Sequence, residues 1–279
     1  MSRPNRTIRT GTDSGLLSLP DRLAPLVSLL PENVEPRDVL LPTAASVAIL
    51  VAWEFLIPAF GIESYLLPTP SAIFLAFLEE YVHIFSAMRV TLVEFSIGFS
   101  ATVVTGYLLA LSMAYSATIE KTFYPYIIVI RSIPVVTLLP VFLIWFGFGF
   151  NSIVVISFLI SFFPMVVNTL SGFKSTDVEL VEMMQSFSAN RREVFRHVYL
   201  YGSLPSVFAA LKICIILAFT GAIVGEFLLG KSGIGALILQ YNSSLETPAM
   251  FAGIFTVSAT ELLIFGAVHK LEEVLVNWQ

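Results

Sequence analysis

Apolar runs long enough to cross a bilayer alternate along this chain with polar breaks, and the breaks are unequal in length and character. A spanning helix needs about 20 predominantly apolar residues. On that criterion six spans are predicted, at residues 39–60, 89–116, 123–146, 151–172, 205–229 and 249–269. The break between the fourth and fifth spans, residues 174–205 (KSTDVELVEMMQSFSANRREVFRHVYLYGSLP), is long, charged and itself periodic. After Asp177, a plausible N-cap, Leu180, Met183 and Met184 recur at i, i+3, i+4, the stripe of an amphipathic helix. The small polar stretch SFSAN at 186–190 reads as a turn, and a second short helix from Arg191 to Tyr199 carries Val194, Phe195 and Val198 on one side. Isolated helices below about 12–15 residues are marginal in water. The pair therefore needs a surface to pack on, either the end of its own membrane bundle or a separate protein.

Two other breaks carry local signals. Pro68-Thr69-Pro70-Ser71 predicts a turn in which Ser71 caps a short helix bracing one face of the bundle. Residues 1–38 hold leucine-rich stretches cut by prolines, too short to span, and no compact apolar core followed by a cleavage site, so this tail is expected to be retained. One membrane domain, 39–279, behind that tail is the organisation these patterns predict.

Composition sharpens the class. Of 279 residues 56% are hydrophobic and 13% charged, with mean hydropathy +0.85, which predicts an all-helical polytopic membrane protein. The net charge of −5 is dispersed, and no basic field points to nucleic acid. The single cysteine, Cys214, lies in an apolar run and reads as a small buried side chain. Positive charge is retained on the cytoplasmic side. With the N-terminus inside, eleven Lys and Arg fall inside and two, Arg89 and Lys231, outside, which puts 174–204 and both termini in the cytoplasm. His83, His197 and His269 are scattered without metal-ligand spacing, and no hydrolytic constellation appears.

One motif points elsewhere. Gly225–Ser232, GEFLLGKS, fits the G-x-x-x-x-G-K-S expression of nucleotide-binding loops. That expression works when a strand precedes a polar glycine-rich loop whose N–H groups face phosphate. Here a membrane span precedes it, its centre is Glu-Phe-Leu-Leu, and Lys231 falls outside, so the match is read as spurious and the chain as no enzyme. Charges within spans are costly and mark function by default. Glu94, Arg131 and Glu226 are the candidate substrate-path residues, while Glu54 and Glu261 suit interfacial places. Pro134 and Pro140 beside Arg131 break the helix, and irregular backbone at membrane depth persists where it lines a cavity or is packed in protein.

The run Glu182 to Pro205 resembles the "EAA" loop of binding-protein-dependent ABC importer permeases: Glu182, Met183 and Met184 stand at Glu-Ala-Ala, Ser188 at the glycine, and Leu204-Pro205 at its close. LLPTPS at 66–71, RSIPVVTLLP at 131–140, IWFGFG at 144–149, NTLSGFKSTDVELVE at 168–182 and FAGIF at 251–255 continue the resemblance in order over about residues 50–276, and mark the nitrate, sulfonate, taurine and bicarbonate branch. Three positions depart from the loop pattern, at Met183, Met184 and Ser188, and Glu94 stands where relatives often carry arginine. The resemblance implies a type I, MetI-like transmembrane domain in a bacterial inner membrane. It implies a second permease subunit, a homodimer being the first expectation and a heterodimer the alternative, an external substrate-binding protein, and two cytoplasmic ATPase subunits that bind the ATP and Mg; this chain would hold no cofactor. It also implies that Glu182, Met183, Met184, Ser188, Asn190, Arg191, Arg192, Leu204 and Pro205 couple the loop to those ATPases, with Arg196 adding a polar contact, and that the solute is a small one such as an anion. The competing class is a secondary transporter or channel in which the polar break is only a structural cap.

Overall fold

The computed structural model describes residues 36–276 apart from Asp177. Residues 1–35 of the expected tail and the Asp177 cap lie outside the described residues, while 36–38 of that tail belong to the first helix. Two compact units divide the chain, Met1–Phe55 and Leu56–Gln279. In the first, the described residues are helical and belong to α1 (Pro36–Ala59), which exposes Leu41, Val47 and Ile49.

The second unit is helical throughout its elements: α2 (Pro70–Tyr115), α3 (Ala117–Arg131), a 3₁₀ turn (Val135–Leu138), α4 (Leu139–Phe146), α5 (Phe150–Lys174), α6 (Val178–Ser186), α7 (Arg191–Val194), a π-helical turn (Phe195–Tyr199), α8 (Leu200–Leu229), α9 (Ile234–Ser243) and α10 (Thr247–Leu275). Among the described residues five helices are long and apolar enough to cross a membrane, and the pair α3–α4, bent by 85°, makes a sixth where it is counted as one span. Five to six spans thus stand against the six predicted, with three local corrections.

The short helix predicted after Ser71 does not exist as a separate element. α2 runs 46 residues without interruption: no proline falls between Pro70 and Tyr115, and Gly98 and Gly106 stay helical where α5 packs closely against them at Ser157 and Met165. At 1.5 Å per residue it is roughly 69 Å long, more than twice a hydrocarbon core. Its cap is Thr69, whose hydroxyl accepts the Ala72 N–H at 3.4 Å, with Pro70 in the first turn where a missing N–H costs nothing. At the other end Ser116 serves two helices: its N–H closes α2 on Ser112 O, and its hydroxyl opens α3 by accepting the Ile119 N–H. The second correction is that the predicted helix Arg191–Tyr199 is no free-standing element but leads through the π turn into α8. As a third, Leu204 and Pro205 therefore lie inside α8 rather than closing a loop.

α5 sits at the centre, packed between α2 and α8 through small side chains. In lipid there is no hydrophobic drive between helices, so close approach and interhelical hydrogen bonds supply the association. Gly98 of α2 and Gly221 of α8 both meet Ser157: a Cβ at Gly98 would stand 2.6 Å from its Oγ, and one at Gly221 2.9 Å from its Cα. Ser157 in turn donates to Ala218 O at 2.8 Å, and the Thr102 and Ser161 hydroxyls pair at 2.7 Å. Cys214 is fully buried here, donating to Ser161 O at 3.3 Å. The outer face of α10, with Leu262, Leu263 and Val274 exposed, is the kind of surface that lipid covers.

Candidate functional site

The polar break folds into a compact elbow, and its turn is specified residue by residue. α6 ends in a Schellman arrangement: the Ala189 N–H reaches back to Met184 O at 3.1 Å while Ser188 takes φ +60°. That left-handed position is the one where the loop pattern carries glycine, since a Cβ is disfavoured there. Two residues on, Asn190 caps α7, its Oδ1 accepting the Arg192 and Glu193 N–H groups at 3.0 and 3.1 Å. Glu193 reaches back to the Asn190 N–H at 2.8 Å, completing a capping box. Glu182 and Arg192 are exposed, Met183 is half exposed and Met184 less so; the Arg191 side chain lies outside the described residues. Phe187, overlooked in the sequence, is 79% exposed at the tip of the turn. Its signal was available, as a lone aromatic in SFSAN that no apolar stripe includes.

The elbow is anchored to the bundle on its inner side. Val194 and Val198 are buried, and a cleft of about 380 Å³ between Tyr115, Val181, Ala189, Phe195 and Tyr199 separates α6 from the end of α2. Lys174, at the foot of α5, pairs with Glu120 of α3. Lys212 of α8 pairs with Glu272 of α10 at 2.7 Å.

Arg131 is exposed at the C-terminal end of α3, where the chain turns 85° through Pro134 into α4. It lines a cleft of about 580 Å³ with Pro134, Pro164, Asn168 and Leu217. Glu94 and Glu226 lie elsewhere, each 1% exposed, with their carboxyls facing each other. Sequence singled out this pair but missed Thr91, which its i, i+3 spacing puts on the same face of α2 as Glu94. The Thr91 hydroxyl donates to Glu226 Oε1 at 2.5 Å and accepts the Ile234 N–H at 2.8 Å; Glu226 Oε2 accepts the Gly235 N–H at 2.6 Å.

That geometry gives the start of GEFLLGKS, Gly225–Leu229, a place in α8 and its Glu226 partners within the chain's own fold. The N–H groups that open α9 are the donors a phosphate would take, and the chain's own Glu226 and Thr91 take them. Gly233, at φ +98°, lies against the Glu226 carboxyl, and a Cβ at Gly235 would stand 2.9 Å from Glu226 Cβ, so glycine at both positions lets the turn close over the acid. Lys231 is exposed and lines a polar cleft of about 670 Å³ with Glu80, His83, Gln240 and Glu246. On its wall Tyr241 donates to Glu80 at 2.8 Å, and burial, reinforced by that carboxylate, holds the Tyr241 phenol well above its ordinary range. Among the described residues no three His, Cys, Asp or Glu side chains gather as a metal site.

A multi-pass helical bundle with a capped elbow between its fourth and fifth spans defines a class, that of ABC importer transmembrane subunits. Comparison with known proteins bears this out. Residues 102–273 match the family described as binding-protein-dependent transport system inner membrane component. The chain is 34% identical to the formylaminopyrimidine transport permease protein ThiX of Halalkalibacterium halodurans, over 85% of this chain and 95% of that one. It is 30% identical to the riboflavin transport system permease protein RibX of Chloroflexus aurantiacus, over 83% and 87%. It is 26% identical to the taurine transport system permease protein TauC of Escherichia coli, over 68% and 70%. A solved amino acid ABC transporter shares the fold, with a TM-score of 0.57 at 21% identity over 72% of this chain and 96% of that one. The chain belongs to the binding-protein-dependent inner-membrane component family and is a membrane-embedded permease subunit of an ABC importer.

Proposed function

We propose that this chain forms the translocation path of an ATP-driven importer and that the elbow at 174–204 is its coupling surface. The observation that carries the reading is the elbow's construction. A nine-residue helix is closed by a Schellman turn and followed by a capping box, leaving Glu182, Met183, Phe187 and Arg192 exposed together on a rigid unit tied to α5 and α8. A nucleotide-driven closure delivered to such a unit moves the spans, whereas a flexible loop would absorb it. In this reading Glu182, Arg191 and Arg192 make polar contacts with two cytoplasmic ATPase subunits, which bind the ATP and Mg. Met183 and Met184, flexible and polarisable, fill a groove that small residues fill elsewhere. Ser188, Asn190, Leu204 and Pro205 set the elbow's shape and its run into the span. A second copy of the chain completes the membrane part, and an external binding protein delivers the solute. The excess of Lys and Arg on one side supports an inner-membrane orientation with both termini cytoplasmic, the tail being 1–38 and the membrane domain 39–279.

For the solute two readings have support. Arg131, exposed in the cleft at the α3–α4 bend, and the taurine relative favour a small anion. The higher identity to the formylaminopyrimidine and riboflavin permeases favours a nitrogen heterocycle. Calorimetry of the cognate binding protein with taurine and with an aminopyrimidine decides between them. The coupling reading is tested by the double charge reversal Glu182→Lys/Arg192→Glu, which is expected to reach the membrane normally yet lose co-purifying ATPase subunits. Full retention of those subunits, with unchanged solute-stimulated hydrolysis, refutes the docking assignment.

A further inference from the structure

Between the elbow and the fifth span the helix changes gauge. Residues Phe195–Tyr199 form a π turn, in which the Leu200 N–H bonds to Phe195 O, five residues back rather than four. Such a turn holds one residue more than the α-helix on either side. If it reverts, everything N-terminal to it turns by roughly 100° and shifts by about 1.5 Å relative to α8. π turns are uncommon and cluster at functional sites.

The ring of Phe195 stands where that movement would be felt. It packs edge-on against Tyr115 at the end of α2 (centroids 5.4 Å, 89°), lies near-parallel to Phe173 at the end of α5 (6.2 Å, 25°), and stacks on Tyr199 within the turn itself (6.0 Å, 26°). Phe173 continues the series to Tyr107, higher on α2, at 6.1 Å. Val194 and Val198 on the flanking positions are buried, so the turn cannot rotate without moving Phe195 between these partners. The cleft beside it, lined by Tyr115, Val181 and Ala189, leaves room on the elbow side for that displacement.

We propose that Phe195 is a positioning residue, whose ring carries displacement of the elbow, through the π turn, to the cytoplasmic ends of α2 and α5. The proposal rests on the coupling reading above and adds the route by which the push enters the bundle. Docking itself belongs to Glu182, Met183, Phe187 and Arg192; transmission belongs to Phe195.

The experiment needs no knowledge of the solute. Ser232, exposed in the polar cleft near α9, is changed to Cys as a reporter, and Cys214, fully buried, stays in place. The whole transporter with its ATPase subunits is placed in nanodiscs, and the maleimide labelling rate is read with and without ATP and vanadate. With Phe195 intact the rate is expected to change by at least about fivefold, the lower range of coupling between distant sites. Phe195→Leu, which keeps apolar volume but removes the ring, is expected to abolish that change while ATPase subunits still co-purify and still hydrolyse ATP. Phe195→Tyr is expected to restore it. A full response in Phe195→Leu, or failure of Phe195→Tyr to restore it, overturns the transmission role. So does loss of the ATPase subunits from Phe195→Leu, which would make Phe195 part of the docking surface. Absence of any nucleotide response in the otherwise unaltered reporter chain with ATPase subunits bound overturns the proposal, and absence of those subunits from that chain overturns the coupling reading with it.

Discussion

Replacing Glu226 with alanine tests whether this side chain, rather than a bound anion, holds the start of α9. Glu226 is 1% exposed and Thr91 fully buried, and between them they accept the first two N–H groups of α9, those of Ile234 and Gly235. Glu226→Ala leaves the Gly235 N–H and the Thr91 hydroxyl without that acceptor, at about 1–3 kcal/mol for each buried group left unsatisfied. Thr91 has a fallback in Ala87 O, already at 3.4 Å, which removes much of its share. Because Gly233 and Gly235 lie flush against the carboxyl, the lost volume becomes a void rather than filling from its neighbours. The net loss worked from these parts is about 2–4 kcal/mol. Thr91→Val orphans the Ile234 N–H and is expected to cost about 1–3 kcal/mol on the same grounds. Since the two side chains share one network, the double variant should lose less than the sum, by at least about 0.6 kcal/mol, the average for hydrogen-bonded pairs in membrane helices. The assay is denaturant unfolding of the detergent-purified chain, with tryptic cleavage at the exposed Lys231 as a local reading. Additive losses, or a Glu226→Ala variant as stable and as slowly cut as the parent, would refute the latch. Stabilisation of the isolated chain by ATP and Mg, lost in Lys231→Ala, would refute the assignment of these donors to Glu226.

The remaining predictions concern the elbow and the core. Ser188→Gly should relieve a left-handed residue and stabilise the turn by about 1 kcal/mol, read as slower hydrogen exchange of the Ala189 amide; unchanged or faster exchange contradicts it. Asn190→Ala should remove the cap of α7 at about 1 kcal/mol, with faster exchange at the Arg192 and Glu193 amides. Gly221→Leu forces a side chain where even a Cβ would stand 2.9 Å from the Ser157 backbone, so α5 and α8 must separate. A loss of about 1–3 kcal/mol follows, visible as earlier unfolding in detergent; a wild-type transition would mean the helices do not pack this closely.

How much was legible follows from which forces are local. The spans could be read because bilayer thickness imposes a length on any apolar helix, and the amphipathic stripe of α6 because helical period is a local property. Asn190 with Glu193 and the glycine position now held by Ser188 were readable too, since caps and turns are made by neighbours in sequence. The 46-residue continuity of α2 was missed for a related reason: Pro-Thr-Pro-Ser suggested a turn before a short helix, but nothing after Pro70 interrupts the backbone ladder. The π turn and the run of Arg191 into α8 were not readable, because they depend on Val194 and Val198 finding a buried face and on Phe195 finding Tyr115 and Phe173.

The sequence by itself determined that this is a helical membrane protein with a long polar break between two of its spans, and which residues that break holds. Only the tertiary structure decided what Glu226 bonds to. Its partners Thr91 and Gly235 lie 135 and 9 positions away, so whether a carboxylate in a phosphate-loop pattern meets substrate, nucleotide or its own chain is fixed by the packing of α2 against α8 and α9. Hydrogen-bond donors at a helix start donate to whichever acceptor the fold delivers, and folding delivers Glu226 from the preceding helix and Thr91 from across the bundle.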